Sequence, residues 1–191
     1  MTVQELAPPV EIEKPAFITG QELLEMGDIG PCELVEGRIE KMSPVKMPHG
    51  KHEMRFARYL GNFVEEHHLG EVNGGEVGIY TRRNPDTVRG ADLLFISHAR
   101  LAKTTPGGFL DVAPELVVEI LSPSDRWSNV RKKLREYFEI GVMVVLILEP
   151  EEQVISAYRS LTDVQELSIN DTLILEDILP GFELPLANLF A

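Results

Sequence analysis

A mixed α/β fold built on a central sheet is what this sequence predicts, and three observations lead there. Leu116–Leu121 and Val142–Leu148 are almost unbroken apolar runs, the pattern of strands covered on both faces. Between them, Asn129–Ile140 carries Val130, Leu134, Tyr137 and Phe138 at helical spacing, and Gly141 stops the pattern. A helix between two adjacent buried strands, with shorter strands to either side, gives a central sheet flanked by helices and extended by extra N-terminal and C-terminal strands.

The remaining elements follow in chain order. Residues 1–16, with Pro8, Pro9 and Pro15, read as a loose arm, and 17–191 as one folded domain. Thr19-Gly20-Gln21-Glu22 has capping-box spacing and predicts a short first helix. Pro31–Met42 reads as strand, turn and strand around Glu36-Gly37, and Ser43–Pro48 as a loop. His49–His67 predicts a long helix whose stripe is Phe56, Leu60, Phe63 and Val64; traced back, that stripe reaches Glu53, His52 and His49. Gly70–Thr81 and Val88–Ile96 are strand candidates around a turn at Asn84-Pro85-Asp86, and Asn73-Gly74-Gly75 reads as a turn. His98–Gly107 predicts a short helix and loop, Gln153–Tyr158 a hairpin partner for the preceding strand, and the tail alternates short strands before Leu179-Pro180-Gly181-Phe182.

Composition narrows the function classes. A chain of 191 residues with 43% hydrophobic residues and 8 Phe can bury one good core. No apolar stretch approaches the roughly 20 residues that a membrane span needs. The acidic N-terminus lacks the apolar segment of a signal peptide. A single cysteine, Cys32, excludes an internal disulfide and fits a reducing compartment, so a cytoplasmic location is expected. The net charge of −13 weighs against binding nucleic acid through the general surface field. Charge is uneven, however: Arg126, Arg131, Lys132, Lys133 and Arg135 cluster, and Arg82, Arg83 and Arg89 form a second basic group.

Two acids stand where acids are expensive. Glu119 stands near the end of the apolar run LVVEIL, and Asp92 enters another in RGADLLFI. An ionised carboxylate in a buried strand needs a cation or hydrogen-bond donors. Two such acids from neighbouring strands also form a site for Mg²⁺ or Mn²⁺, which take oxygen ligands. The plainer alternative has Asp92 capping a strand and Glu119 pairing with an arginine. Lys133 borders the buried stripe of the second long helix, so its amine can reach over the sheet toward both acids and stabilise charge developing on a phosphorane; the alternative is a stem lying on apolar surface with its amine in solvent. Glu33 and Glu36 are further acids, Glu36 sharing a strand face with Leu34 and Glu33 with Val35. His49 and His52 lack a third partner for a zinc motif, which leaves His49 as a residue that touches substrate or holds a carboxylate. Cys32 has no activating neighbour, and the chain has no GxSxG, no P-loop and no Rossmann glycine set.

The ordered set ELVEGRI (33–39), MSP (42–44), His49, RGADL (89–93), LVVEILSPS (116–124), Lys133-Leu134 with Tyr137, Gly141-Val142, Glu149-Pro150 and LPGF (179–182) resembles the Uma2 family of the PD-(D/E)XK nuclease superfamily. The resemblance spans nearly all of the chain beyond the first 16 or so residues. It implies a restriction-endonuclease-like fold and a metal-dependent endonuclease acting on nucleic acid, DNA before RNA. Asp92 and Glu119 would then be the metal ligands, with Mg²⁺ or Mn²⁺ as cofactor. Leu121 stands where the superfamily's usual lysine would be, and the family commonly carries that lysine at the place of Lys133. Glu36 matches the family's early acid, which completes a catalytic set of Asp92, Glu119, Lys133 and Glu36. Ala91 replaces the signature proline, and Asn129 a frequent Asp. Arg126 and Arg131, with His49, are the candidates for substrate contact, and a homodimer fits many nucleases of the superfamily. Two other functions suit the same residues: a non-catalytic binding or assembly module, and a hydrolase of small phosphodiesters or nucleotides.

Overall fold

The computed structural model describes residues 17–123 and 125–191; the expected arm and Ser124 lie outside the described residues. Helix α1 (Gly20–Glu25) begins at the expected capping box: the Thr19 side chain accepts from Glu22 N, and the Glu22 carboxylate accepts from Thr19 N at 2.7 Å. Strands β1 (Cys32–Val35) and β2 (Arg38–Lys41) form a hairpin whose two turn residues, Glu36 at φ 51 and Gly37 at φ 74, are both left-handed. A two-residue hairpin turn of this kind requires that backbone.

Helix α2 (Met47–Glu66) starts two residues before the expected His49, because Pro48 fits a first turn whose N–H groups have no intrahelical partner. Strands β3 (Gly70–Arg82) and β4 (Thr87–Ser97) pair along almost their whole length and lead into the one-turn helix α3 (His98–Leu101). The expected turn at Asn73-Gly74-Gly75 is instead the interior of β3, where the register shifts between Gly74 and Val77. Strand β5 (Leu116–Ile120), helix α4 (Trp127–Ile140) and strand β6 (Val144–Glu149) make the predicted unit. Here β5 and β6 are parallel neighbours, and Gly141 at φ 98 ends the helix. Strands β7 (Val154–Tyr158) and β8 (Val164–Ser168) extend the sheet antiparallel, while β9 (Thr172–Ile174) and β10 (Glu183–Pro185) form a separate ribbon before helix α5 (Leu186–Phe190).

The main sheet runs β2-β1-β4-β5-β6-β7-β8, with β3 on β4. Alternate residues of its central strands enter two cores. Leu93, Phe95, Val118 and Leu146 meet Phe56, Leu60 and Val64 of α2 on one face. Leu94, Ile96, Val117 and Val145 meet Val130, Leu134 and Tyr137 of α4 on the other. This is the restriction-endonuclease-like arrangement of a mixed sheet between helices.

The pairing of β4 positions the charged side chains. β3 occupies one side of β4 throughout. The other side is shared: β1 pairs at Val88, and β5 pairs from Leu93 to Phe95. Between these contacts the sheet forks, and residues 89–92 face the gap.

Phe56 is fully buried and seats α2, and with it His49, against the sheet. Phe56→Ala is expected to lower unfolding free energy by about 3–5 kcal/mol in urea titrations monitored by circular dichroism; a loss below about 1 kcal/mol would mean that α2 is held by something else.

Candidate active site

The fork leaves backbone groups without strand partners, and polar side chains take those places. Asp92 Oδ2 accepts from Ile120 N at 2.6 Å, tying β4 to the end of β5. Gly90 N donates to Glu33 Oε1 at 3.1 Å, and Gly90 O accepts from Lys133 Nζ at 3.2 Å. The Glu76 carboxylate packs directly on Gly90, where a Cβ would lie 2.6 Å from Glu76 Oε2.

Glu119, next to last in β5, is met by two donors from consecutive turns of α4. Lys133 Nζ lies 2.8 Å from Oε2, and Tyr137 OH donates to Oε1 at 2.6 Å. Lys133 does not extend into solvent; its amine also lies 3.0 Å from Glu33 Oε1. Burial alone would lower the lysine pKa, but Glu119 and Glu33 outweigh it and hold the amine charged. Glu33 follows the same logic with opposite sign. Burial opposes its ionisation, yet Lys133 and Arg89 together bring its pKa below the ordinary value. Arg89 itself is buried, donating from Nη1 to Glu33 Oε2 at 2.7 Å and from Nε and Nη2 to the two oxygens of Glu136 at 2.6 and 2.9 Å.

His49, in the first turn of α2, brings Nε2 to 3.3 Å from Asp92 Oδ2. That contact raises its pKa despite the opposing effect of burial. Nδ1 is buried with no hydrogen-bond partner among the described residues; Glu53 Oε2 stands 4.0 Å away. Glu76 completes the cluster. It sits in the β3 irregularity at φ 62, and burial beside Asp92, Glu119 and Glu33 pushes its carboxyl from 4.5 up to about 7.

These groups line a cleft of about 530 Å³, with Lys41, Lys46, Arg126 and Lys132 around it. Of the expected catalytic set, Asp92, Glu119 and Lys133 line this cleft, and so does His49, the expected substrate contact. Glu36 is elsewhere: it lies half-exposed on the hairpin turn, paired with Arg82 at 3.4 Å and Lys132 at 3.6 Å, and the acid from that segment facing Lys133 is Glu33. Arg126 reaches the cleft, whereas Arg131 is exposed on another side of α4, close enough to Tyr158 to influence it. Glu76, Arg89 and Tyr137 also line the cleft, beyond the residues expected there. A Gly-Gly pair followed by an acid inside a strand pattern is a bulge signal that could have found Glu76.

Among the described residues, no group of three or more His, Cys, Asp or Glu side chains is placed to hold a metal ion. Charge nevertheless suits a cation. Around the fork, Glu33, Glu76, Asp92, Glu119 and Glu136 are met by Arg89 and Lys133, with His49 a conditional third; burial first, and then the neighbouring Asp92, holds the Glu76 carboxyl up. Mg²⁺ is commonly held by one or two carboxylates with waters and substrate phosphates filling the shell, so Asp92 and Glu119 have the chemistry to be its protein ligands.

The Uma2 family profile, described as "Putative restriction endonuclease", matches residues 21–187. A solved structure from Anabaena variabilis ATCC 29413, described as "a putative nuclease belonging to DUF820", superposes with a TM-score of 0.76 at 19% identity, covering 91% of this chain and 97% of that one. At that identity the likeness is one of fold. No curated protein matches the chain. No helix among the described residues is long and apolar enough to cross a membrane.

The Glu76 shift carries a pH signature. A carboxyl whose folded pKa of about 7 exceeds its ordinary 4.5 stabilises the fold below pH 4.5 and loses that contribution as pH rises through 7. In chelator-containing buffer, Glu76→Gln is therefore expected to melt with the wild type near pH 4.5 and at a higher temperature than the wild type at pH 8. Parallel melting curves across that range would contradict the assignment.

Proposed function

Since this chain belongs to the Uma2 family, we propose that it is a metal-dependent nuclease that hydrolyses phosphodiester bonds, with DNA as substrate. The observation that carries this reading is the convergence of Asp92, Glu119 and Lys133 on one cleft at the fork of the sheet. Asp92 and Glu119 would hold Mg²⁺ or Mn²⁺. When bound, such an ion polarises a phosphoryl oxygen and lowers the pKa of a coordinated water.

The chain's own residues do the rest. Lys133, charged and fixed, places positive potential beside the phosphorus as negative charge builds on its oxygens. Tyr137 and Lys133 hold Glu119 in one rotamer, and His49 with Ile120 N does the same for Asp92. Lys41, Lys46, Lys132 and Arg126 line the cleft alongside Glu40 and Asp125, which brings basic groups to its rim on a chain of net charge −13. They meet the phosphates flanking the scissile bond, contacts that position a strand without reading its sequence. We place the protein in the cytoplasm, in keeping with its single cysteine, and propose a homodimer that presents two clefts to one duplex.

Supercoiled plasmid and single-stranded DNA incubated with Mg²⁺ or Mn²⁺ test this directly. Wild type is expected to cleave and to stop on chelation; identically prepared Asp92→Asn is expected to be inactive, and Lys133→Ala slower by about 10²–10³-fold. Equal cleavage by wild type and Asp92→Asn would refute the site. Absence of cleavage by either, with hydrolysis of a small phosphodiester such as bis(p-nitrophenyl) phosphate by the wild type, would move the substrate class to small phosphodiesters.

A further inference from the structure

We propose that Glu33 is a positioning residue that fixes the Lys133 amine against Glu119, itself held by Arg89 and Glu136. This rests on the reading of the cleft as a phosphodiester-cleaving site. Lysine is a compact charge on a flexible four-carbon stem, so its placement depends on what its three N–H groups meet. In this protein three acceptors surround the amine: Glu119 Oε2 at 2.8 Å, Glu33 Oε1 at 3.0 Å and Gly90 O at 3.2 Å.

Glu119 and Gly90 belong to the strands that form the fork, and Glu33 reaches the amine from β1 on its far side. Glu33 has no freedom to turn away. Its Oε1 also receives Gly90 N at 3.1 Å, and its Oε2 receives Arg89 Nη1 at 2.7 Å. Arg89 is fixed in turn by a two-bonded contact with Glu136, whose Oε2 also accepts from Thr81 at 3.2 Å. Glu136 lies three residues after Lys133 and shares its helix face. The four side chains therefore form a closed circuit that leaves α4 at Lys133, crosses β1 and β4, and returns to α4 at Glu136.

Stability gives little reason for such a circuit. Replacing buried ion networks by apolar packing is often neutral or stabilising. What the circuit supplies is a fixed position for a charge that lines the cleft beside Asp92.

A double-mutant cycle over Glu33→Gln and Lys133→Met, scored by kcat and KM for metal-dependent DNA cleavage with melting temperatures taken in parallel, tests this. Glu33→Gln is expected to lower kcat by about 10–100-fold with KM unchanged, and to cost nothing further once Lys133→Met is present. Costs that multiply in the double variant, or an undiminished kcat in folded Glu33→Gln, would overturn the proposal. Glu33→Asp, which keeps the charge but shortens the reach, serves where Glu33→Gln does not fold and is expected to lose kcat in the same way.

If the wild type cleaves no DNA, the nuclease reading fails and the positioning claim is read from Lys133 itself. The rate at which an amine-acylating reagent modifies Lys133, followed by mass spectrometry on folded protein, should rise about tenfold or more in Glu33→Gln and stay at the wild-type value in Glu36→Gln. Equal rates in wild type and Glu33→Gln would overturn it.

Discussion

A buried carboxylate near the end of β5 sets the terms for this structure. Glu119 follows Leu116, Val117 and Val118, all fully buried, and cannot stay ionised there without a cation and hydrogen-bond donors. Lys133 and Tyr137 supply them from α4. That answer creates the next requirement, since Lys133 is itself removed from water and needs Glu33, which needs Arg89, which needs Glu136. Leaving one member of such a pair unmatched costs about 3–5 kcal/mol, a large share of the 5–15 kcal/mol that keeps a typical domain folded. These compensations add directional contacts to the apolar stripe of Val130, Leu134 and Tyr137 that seats α4 on the sheet.

The fork in the sheet explains why the charges collect in one place. Where β4 passes from β1 to β5, main-chain groups lose the partners a continuous ladder would provide, and buried backbone groups rarely stay unpaired. Asp92 takes Ile120 N, Glu33 takes Gly90 N, and Lys133 takes Gly90 O. The side chains that form the cleft are thus the same ones that repair the sheet. Fold and site share their hydrogen bonds, so a substitution at any of them is expected to register in both stability and chemistry.

Much of this was legible in the chain. Unbroken apolar runs located β5 and β6, helical spacing located α4, and the acids Asp92 and Glu119 stood out because their neighbours are apolar. Lys133 was legible from its border position on the stripe. Glu33 and Glu36 were harder to separate. Alternation places them on opposite faces, but Glu36 leaves the strand into a left-handed turn, while Glu33 stays in the short strand against β4 and is buried. Arg89 looked like a member of a surface basic group with Arg82 and Arg83, and its burial comes from partners 56 and 47 residues away in Glu33 and Glu136. Glu76 was hidden by a glycine pair that resembles a turn and is in fact a bulge. The closing helix α5 follows the LPGF segment and leaves no signal in the chain, five residues being too few to establish helical spacing.

The proposed binding of a divalent ion by Asp92 and Glu119 is open to anomalous diffraction from crystals soaked in Mn²⁺, without reference to turnover. An anomalous peak in contact with both carboxylates is expected in the wild type, and its loss in Asp92→Asn. A wild-type map with no peak in the cleft, or with Mn²⁺ bound only at other acids, would contradict it.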